Sequence, residues 1–164
     1  MIKLEGIYYK TKLATVRDAT MRDAFAMAPH MRESDKQEIW VSNHISPENA
    51  LIAGVINSVV CMTIEKDEKP IVMFGVVPQT LLGNVASIWM LGTDDIHKVQ
   101  RTFLRHSPEF IDYMLGFYPY LFNYIDIRNK ESLLWLKYCG AEFSIIVPYG
   151  VEQKPFQYFC FRRK

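Results

Sequence analysis

The stretch 121–143, LFNYIDIRNKESLLWLKYCGAEF, restricts the possible folds more than any other part of the chain. Over residues 121–127 aromatic and β-branched side chains alternate with polar ones, the period-two pattern of a strand buried on at least one face. Asn129 follows as the cap of a helix that carries Glu131 in its first turn. Leu133, Leu134, Trp135 and Leu136 are apolar nearly all round, which predicts a helix buried on more than one side. Gly140 ends the helix, and a second strand is expected over 141–147.

The rest of the chain can supply a full core around this unit. With 164 residues, 49% of them hydrophobic, residues 1–164 suit one domain that needs neither metal nor disulfide. Cys61, Cys139 and Cys160 are odd in number and set among apolar neighbours, the pattern of reduced core thiols. His30, His44, His97 and His106 show no ligand spacing, so no metal site is expected. A net charge of +1 argues against nucleic acid as a partner, and the basic cluster 162–164 reads as a solvated terminus. No stretch has the length of a membrane span, and Lys3 and Glu5 stand where a signal peptide would need apolar residues, so a cytoplasmic protein without membrane contact is expected.

In chain order, KLATVRDA over 12–19 predicts a strand that turns into a helix near Thr20. A helical pattern follows to about Asn43, kinked or split at Pro29. Ser46, Pro47 and Glu48 are a cap, a first-turn proline and an acid, and they open a second helix. Residues 59–65 and 70–77 predict strands joined by the charged tip KDEK, and 85–91 a third. Thr93 is placed to cap a helix with Asp94 and Asp95 in its first turn, and Ser107, Pro108 and Glu109 predict a break and restart before Phe110. A turn at Tyr149 and Gly150 leads to a last strand over 156–162. Phe117, Tyr118, Tyr120, Phe122, Tyr124, Tyr149, Phe156 and Tyr158 supply more aromatic surface than a small core needs, and a homodimer through the C-terminal hairpin is expected.

The spacing of Asn129, Ser132, Leu133 and Gly140, after a strand and before another, resembles the end of the GNAT (GCN5-related N-acetyltransferase) fold. More narrowly, NYIDIRN and LLWLKYCG with WMLGTDDI upstream resemble GNAT-like proteins of tailed phages, internal virion and assembly proteins among them. The resemblance implies an α+β fold, with a twisted, mostly antiparallel sheet of six to seven strands and helices on both faces. It also implies that strands 85–91 and 121–127 splay apart to form a V that holds an acyl-CoA arm. Trp89, Met90, Leu91, Gly92, Thr93, Lys98 and Asn129 are the residues it implies for cofactor binding, with acetyl-CoA as cofactor if the protein is active.

Two positions depart from the family pattern. The family holds the CoA pyrophosphate on the amides of an Arg/Gln-x-x-Gly-x-Gly/Ala loop at a helix start, where free N–H groups and the helix dipole favour an anion. Here that place reads Asp94, Asp95, Ile96, His97, Lys98, Val99, Gln100, without glycine. At about 6 Å and an effective dielectric near 20, each carboxylate–phosphate pair costs about 2–3 kcal/mol before screening. The family's tyrosine acid, four residues before the glycine, is Leu136 here, and Tyr138 lies about 200° around the helix from it. Glu65, His44 and Glu48 are the candidate general bases, and Cys61 reads as a core thiol rather than a nucleophile. The reading that follows is a phage-encoded GNAT-fold protein with a degenerate acyl-CoA site. It would act in virion assembly or host interaction through contacts with a phage structural or host protein, in the cytoplasm of the host bacterium and in the virion. The alternative is an acetyl-CoA-dependent N-acyltransferase acting on an amine of a protein or small molecule; a binder or modifier of a host protein made early in infection is a third.

Overall fold

The continuous apolar run Ile71, Val72, Met73, Phe74 in residues 69–78 marks a strand covered on both faces. In a computed structural model of the chain, which describes residues 6–163, it is the fourth of eight strands. The elements are β1 (Ile7–Lys10), β2 (Thr15–Asp18), α1 (Met21–Met27), α2 (Glu33–Asn43), α3 (Pro47–Asn57), β3 (Val60–Lys66), β4 (Lys69–Pro78), β5 (Val85–Gly92), α4 (Gln100–Leu115), β6 (Tyr120–Asp126), α5 (Lys130–Tyr138), β7 (Glu142–Tyr149) and β8 (Lys154–Arg162). Ala28–His30, around Pro29, is a single 3₁₀ turn between α1 and α2. Lys3, Glu5 and Lys164, which carried the expectations for the two termini, lie outside the described residues.

The strands form one sheet in the order β1-β2-β3-β4-β5-β6-β8-β7. Eight strands stand where six to seven were expected, because residues 7–10 fold back on β2; a four-residue run is too short to show a period in the sequence. Two clusters build the core, one on each face. Val72, Phe74 and Val76 of β4 pack with Ile111, Met114 and Leu136 of α4 and α5, whereas Met73 packs with Ala24, Met27 and Leu51 of α1 and α3. β5 and β6 are the parallel pair of the sheet, and they pair only where Val85, Ala86 and Ser87 meet Tyr120, Leu121 and Phe122. Beyond that point they diverge.

Three local expectations are corrected. The helix does not break at Pro108: α4 runs continuously from Gln100 to Leu115 with Pro108 inside it. The ring removes one backbone donor at an isolated-helix cost of about 3 kcal/mol. Burial of Ser107, Phe110, Ile111, Met114 and Leu115 against the sheet holds the helix together across that point. The irregularity comes earlier instead, as a 3₁₀ segment Asp94–Val99, and Thr93 turns its hydroxyl to the Ile71 carbonyl (3.2 Å) rather than capping. Finally, α5 is not buried on several sides. Leu136 is 3% exposed but Leu134 is 69% exposed, since it lies about 200° around the helix from Leu136 and is turned away from the sheet.

A candidate ligand-binding cleft

The divergence of β5 from β6 opens a cavity of about 480 Å3. Its walls are Ile88, Trp89, Met90 and Leu91 of β5, Asn123, Tyr124 and Ile125 of β6, the helix α2 from Asp35 to Asn43, and Ala50, Ala53 and Gly54 of α3. Asn129, Ser132, Trp135 and Leu136 close it from the side of α5, and Tyr149 and Phe156 from the C-terminal hairpin. Local sequence explains the shape. Gly54 lets the Trp89 indole lie against α3, since a Cβ there would sit 2.5 Å from Trp89 Cζ2. The Trp89 Nε1 donates to Ser58 Oγ at 2.9 Å. Gly150 takes φ +73° at the hairpin tip and lies on the backbone of Ser42, so the tip is docked onto the end of α2.

Side-chain and backbone groups fasten both ends of the V. Asn123 Nδ2 donates to the Ile88 carbonyl at 2.7 Å, just past the last pair of β5 with β6. At the other end the Gly92 N–H donates to Asp35 Oδ2 (2.8 Å) and the Gly92 carbonyl accepts from the Arg32 N–H (2.9 Å). Arg32 is 6% exposed; its Nε lies 2.8 Å from Asp35 Oδ2 without hydrogen-bond alignment, and its Nη2 donates to Ser132 Oγ at 3.0 Å. Burial alone would lower the Arg32 pKa, but Asp35 outweighs it and raises the pKa, so the guanidinium stays charged. Arg32 thereby ties α2 and β5 to α5 across the mouth of the V. Beyond it lies a second cavity, about 390 Å3, lined by His97, Gln100, Phe103, Leu134 and Tyr138, which shares Met90, Ser132 and Trp135 with the first.

The residue that the sequence did not single out is Glu38. It projects from α2 into the first cavity, where Asn129 Nδ2 donates to its Oε2 at 3.2 Å. Solvent reaches part of the side chain through the cleft, but the carboxyl group is enclosed. Burial, with Asp35 and Asp126 adding to it, pushes its pKa up to about 8, against the opposing bonds from Asn129 and the Asp126 backbone. Burial also works against the Asp126 carboxylate, but Arg128, at 2.6 Å, outweighs it and lowers that pKa. Among the described residues Glu38 forms no ion pair, and no three acids are disposed to share a metal ion. On an eleven-residue helix with Glu33, Asp35 and Glu38 the sequence offers no way to tell which acid faces inward.

The candidates named from the sequence are dispersed. Trp89, Met90, Leu91 and Asn129 line the cleft, Gly92 is clasped at its end, and Thr93 is buried against Ile71. Lys98 points to Asp95 (2.8 Å) on the exposed 3₁₀ segment. Glu65 is engaged by Arg17 at 2.6 Å, together with Asp23, away from the cavity. His44 is the left-handed end of α2, stacked on Trp40 and 3.0 Å from Glu152, and Glu48 is exposed on the first turn of α3. Cys61 packs in the core on the α1–α3 side, and burial pushes its thiol up to about 12, which suits an inert thiol.

Solved structures share this arrangement. A spermidine N-acetyltransferase from Vibrio cholerae, solved in complex with CoA and spermine, superposes with a TM-score of 0.67 at 11% identity, over 93% of this chain and 96% of that one. An acetyltransferase of the GNAT family from Bacillus anthracis gives 0.66 at 11% identity, with 93% and 96% covered. Ard1 from Thermoplasma volcanium gives 0.69 at 11% identity, with 93% and 99% covered. The fold is the GNAT fold. By sequence, the family model described as "Bacteriophage T7, probable scaffold protein Gp13" matches residues 70–145, from β4 into β7. Curated proteins, compared by sequence, give no match. At the place where the GNAT resemblance implies a phosphate cradle, the chain has six residues of 3₁₀ helix with Asp94 and Asp95 at their start and no side-chain cap. Leu136, at the position of the family's tyrosine, is buried in the core, and Tyr138 faces the second cavity.

Proposed function

We propose that this is a phage-encoded GNAT-fold protein whose acyl-CoA site has degenerated and which acts in virion assembly or host interaction through protein contacts. The observation that carries this is the match of residues 70–145 to the phage scaffold family, because that span contains both splayed strands and the whole would-be cofactor loop. The loop geometry supports it. Two acids stand at the start of a 3₁₀ segment, so their negative charge opposes a phosphate where the family has a glycine-rich anion cradle. Arg32, bound to Asp35 and Ser132, crosses the path between the two cavities that an acyl arm would have to thread. The partner is a phage structural protein or a host protein, met in the host cytoplasm and carried into the particle, and a second copy of the chain pairs through the C-terminal hairpin. Titrating acetyl-CoA calorimetrically tests the degenerate site: no heat is expected at about millimolar ligand, and a Kd of about 1 μM or tighter would sink the proposal. Mass spectrometry of purified particles tests the assembly role, and absence of the chain from both mature particles and precursors overturns it.

The competing reading, an acetyl-CoA-dependent N-acyltransferase acting on an amine, draws on one observation. Glu38, with a pKa of about 8 in the cleft, has the acidity of a general base working near neutral pH. The same calorimetric experiment separates the two, since that reading needs the cofactor to bind.

A further inference from the structure

Among the described residues Leu81 and Leu82 are the most exposed large apolar side chains, with essentially their whole surface in water. They form the turn between β4 and β5, in the run QTLLGN over 79–84, which carries no charge. The base of the turn is fastened. The Gln79 N–H donates to the Val85 carbonyl at 3.2 Å and its Nε2 to Ser87 Oγ at 2.7 Å, and a Cβ at Gly83 would collide with the Thr80 side chain. Two leucines are thus presented on a stiff base, which lowers the entropy lost when they are buried.

A second feature matches this one. The cavity of about 390 Å3 between α4 and α5 is walled by Phe103 and Leu104 on one side and by Leu134, Trp135 and Tyr138 on the other, and Met90 of β5 joins them. Leu134 and Tyr138 are exposed although they line it, so its walls are apolar surface left in water. Its volume suits a small apolar group. The charges at its margin already have partners: Arg32 is bound to Asp35 and Ser132, and His97 lies 3.7 Å from Glu131. An uncharged loop enters such a socket without stripping water from an ion of its own.

The loop and the socket cannot meet within one copy. The loop leaves the sheet at the end where β5 still pairs with β6, at Val85 and Tyr120, whereas Met90 and Ile96 of the socket lie past the point where the two strands part. Two copies can bring them together. Such a contact joins different surfaces of the two copies, so each added copy offers a fresh loop and a fresh socket, and the assembly grows into a filament or closes as a ring.

We propose that the Leu81–Leu82 turn of one copy docks into the α4–α5 cavity of a second copy, head to tail. This rests on the reading above, in which the protein acts through protein contacts and its acyl-CoA site is out of use, and it adds a self-contact distinct from the one through the C-terminal hairpin. Leu81, Leu82, Leu134 and Tyr138 are buried together, and that burial drives the association.

Light scattering on the full chain between about 10 μM and about 1 mM tests this. The natural chain is expected to grow past two chains per particle toward the upper concentration. Leu81→Ser combined with Leu82→Ser removes the apolar tip, and Leu134→Glu charges the socket; either variant should stop at the mass that the hairpin contact alone gives. All three side chains are exposed, so unchanged melting temperatures are expected and exclude unfolding as the cause. Mixed in equal amounts, the two variants should form heavier particles than either does alone, because the intact loop of one meets the intact socket of the other. A mass of the natural chain that does not rise with concentration, growth that persists in either variant, or a mixture no heavier than its parts overturns the proposal. Its failure and that of the assembly role are separable. A chain found in particles whose mass does not grow loses only this contact, and a chain that grows but is absent from particles keeps the contact and loses the assembly role.

Discussion

At the scale of single residues, the two acids that the sequence placed together prove to be unequal. Asp95 is held by Lys98 at 2.8 Å, and that contact, the largest influence on it, lowers its pKa. Asp94 makes no ion pair among the described residues, so it carries the uncompensated charge at the would-be phosphate site. Asp94→Asn is therefore expected to strengthen any CoA binding about tenfold and Asp95→Asn by less, read as calorimetric Kd at about millimolar CoA. Glu38 offers a test that needs no ligand. Its pKa rises from 4.5 to about 8 on folding, so between these values the folded chain holds a proton that the unfolded chain has lost. Stability should fall as pH rises from about 5 toward 8 and then level off, and Glu38→Gln should flatten that slope in thermal melts. A Gln variant with the same slope would place the titration at another acid of the cleft, with Asp35 the candidate because burial raises its pKa.

At the scale of elements, the charged cluster of Arg17, Asp23 and Glu65 explains why a sequence-level candidate base is structural. Arg17 on β2 donates to both Asp23 oxygens at 2.8 Å and to Glu65 on β3 at 2.6 and 3.0 Å, so one guanidinium joins two strands to the start of α1. Asp23 is 4% exposed and also closes the capping box with Thr20, so it cannot lose its partner without an unpaired buried charge. Arg17→Ala should cost about 2–3 kcal/mol and lower the melting temperature by roughly 4–12 °C in calorimetry. The same scale shows where the surplus aromatics go. Tyr120, Phe122 and Tyr124 on β6 form a ladder with Tyr158 on β8, with Tyr120 and Tyr158 hydroxyls 2.6 Å apart, on a face that α1 and α3 leave half open. Beside it the edge strand β7 exposes Ile145 (63%) and Ile146 (58%). A second copy covering this surface would bury it, so light scattering should give twice the 19.1 kDa chain mass; a monomeric mass removes the dimer.

At the scale of the whole molecule, the legible parts were those whose cause is local. Asn129 accepts from Ser132 N as its cap, Gly140 takes φ +85° after α5, and Ser46 accepts from Asn49 N at the start of α3, each where side-chain chemistry alone predicts it. The alternation over 121–127 and the apolar run before Pro78 determined which segments are strands, and with the helix spacing these determined the fold class. What depended on tertiary structure was hidden for a common reason: it joins residues far apart in the chain. Pro108 stays inside α4 because the sheet beneath rewards an unbroken helix, which no local signal records. The inward turn of Glu38, 91 residues from its partner Asn129, and the Arg32 bridge to Ser132, 100 residues away, exist only once α2 lies across the opened V. The sequence alone determined seven of the eight strands, the caps at Asn129 and Ser46 and the absence of glycine over 94–100, the strands and caps because they follow from short-range sterics and hydrogen bonding. Only the tertiary structure decided which acid is enclosed and which leucines stay exposed, because desolvation is set by what the fold places around a side chain.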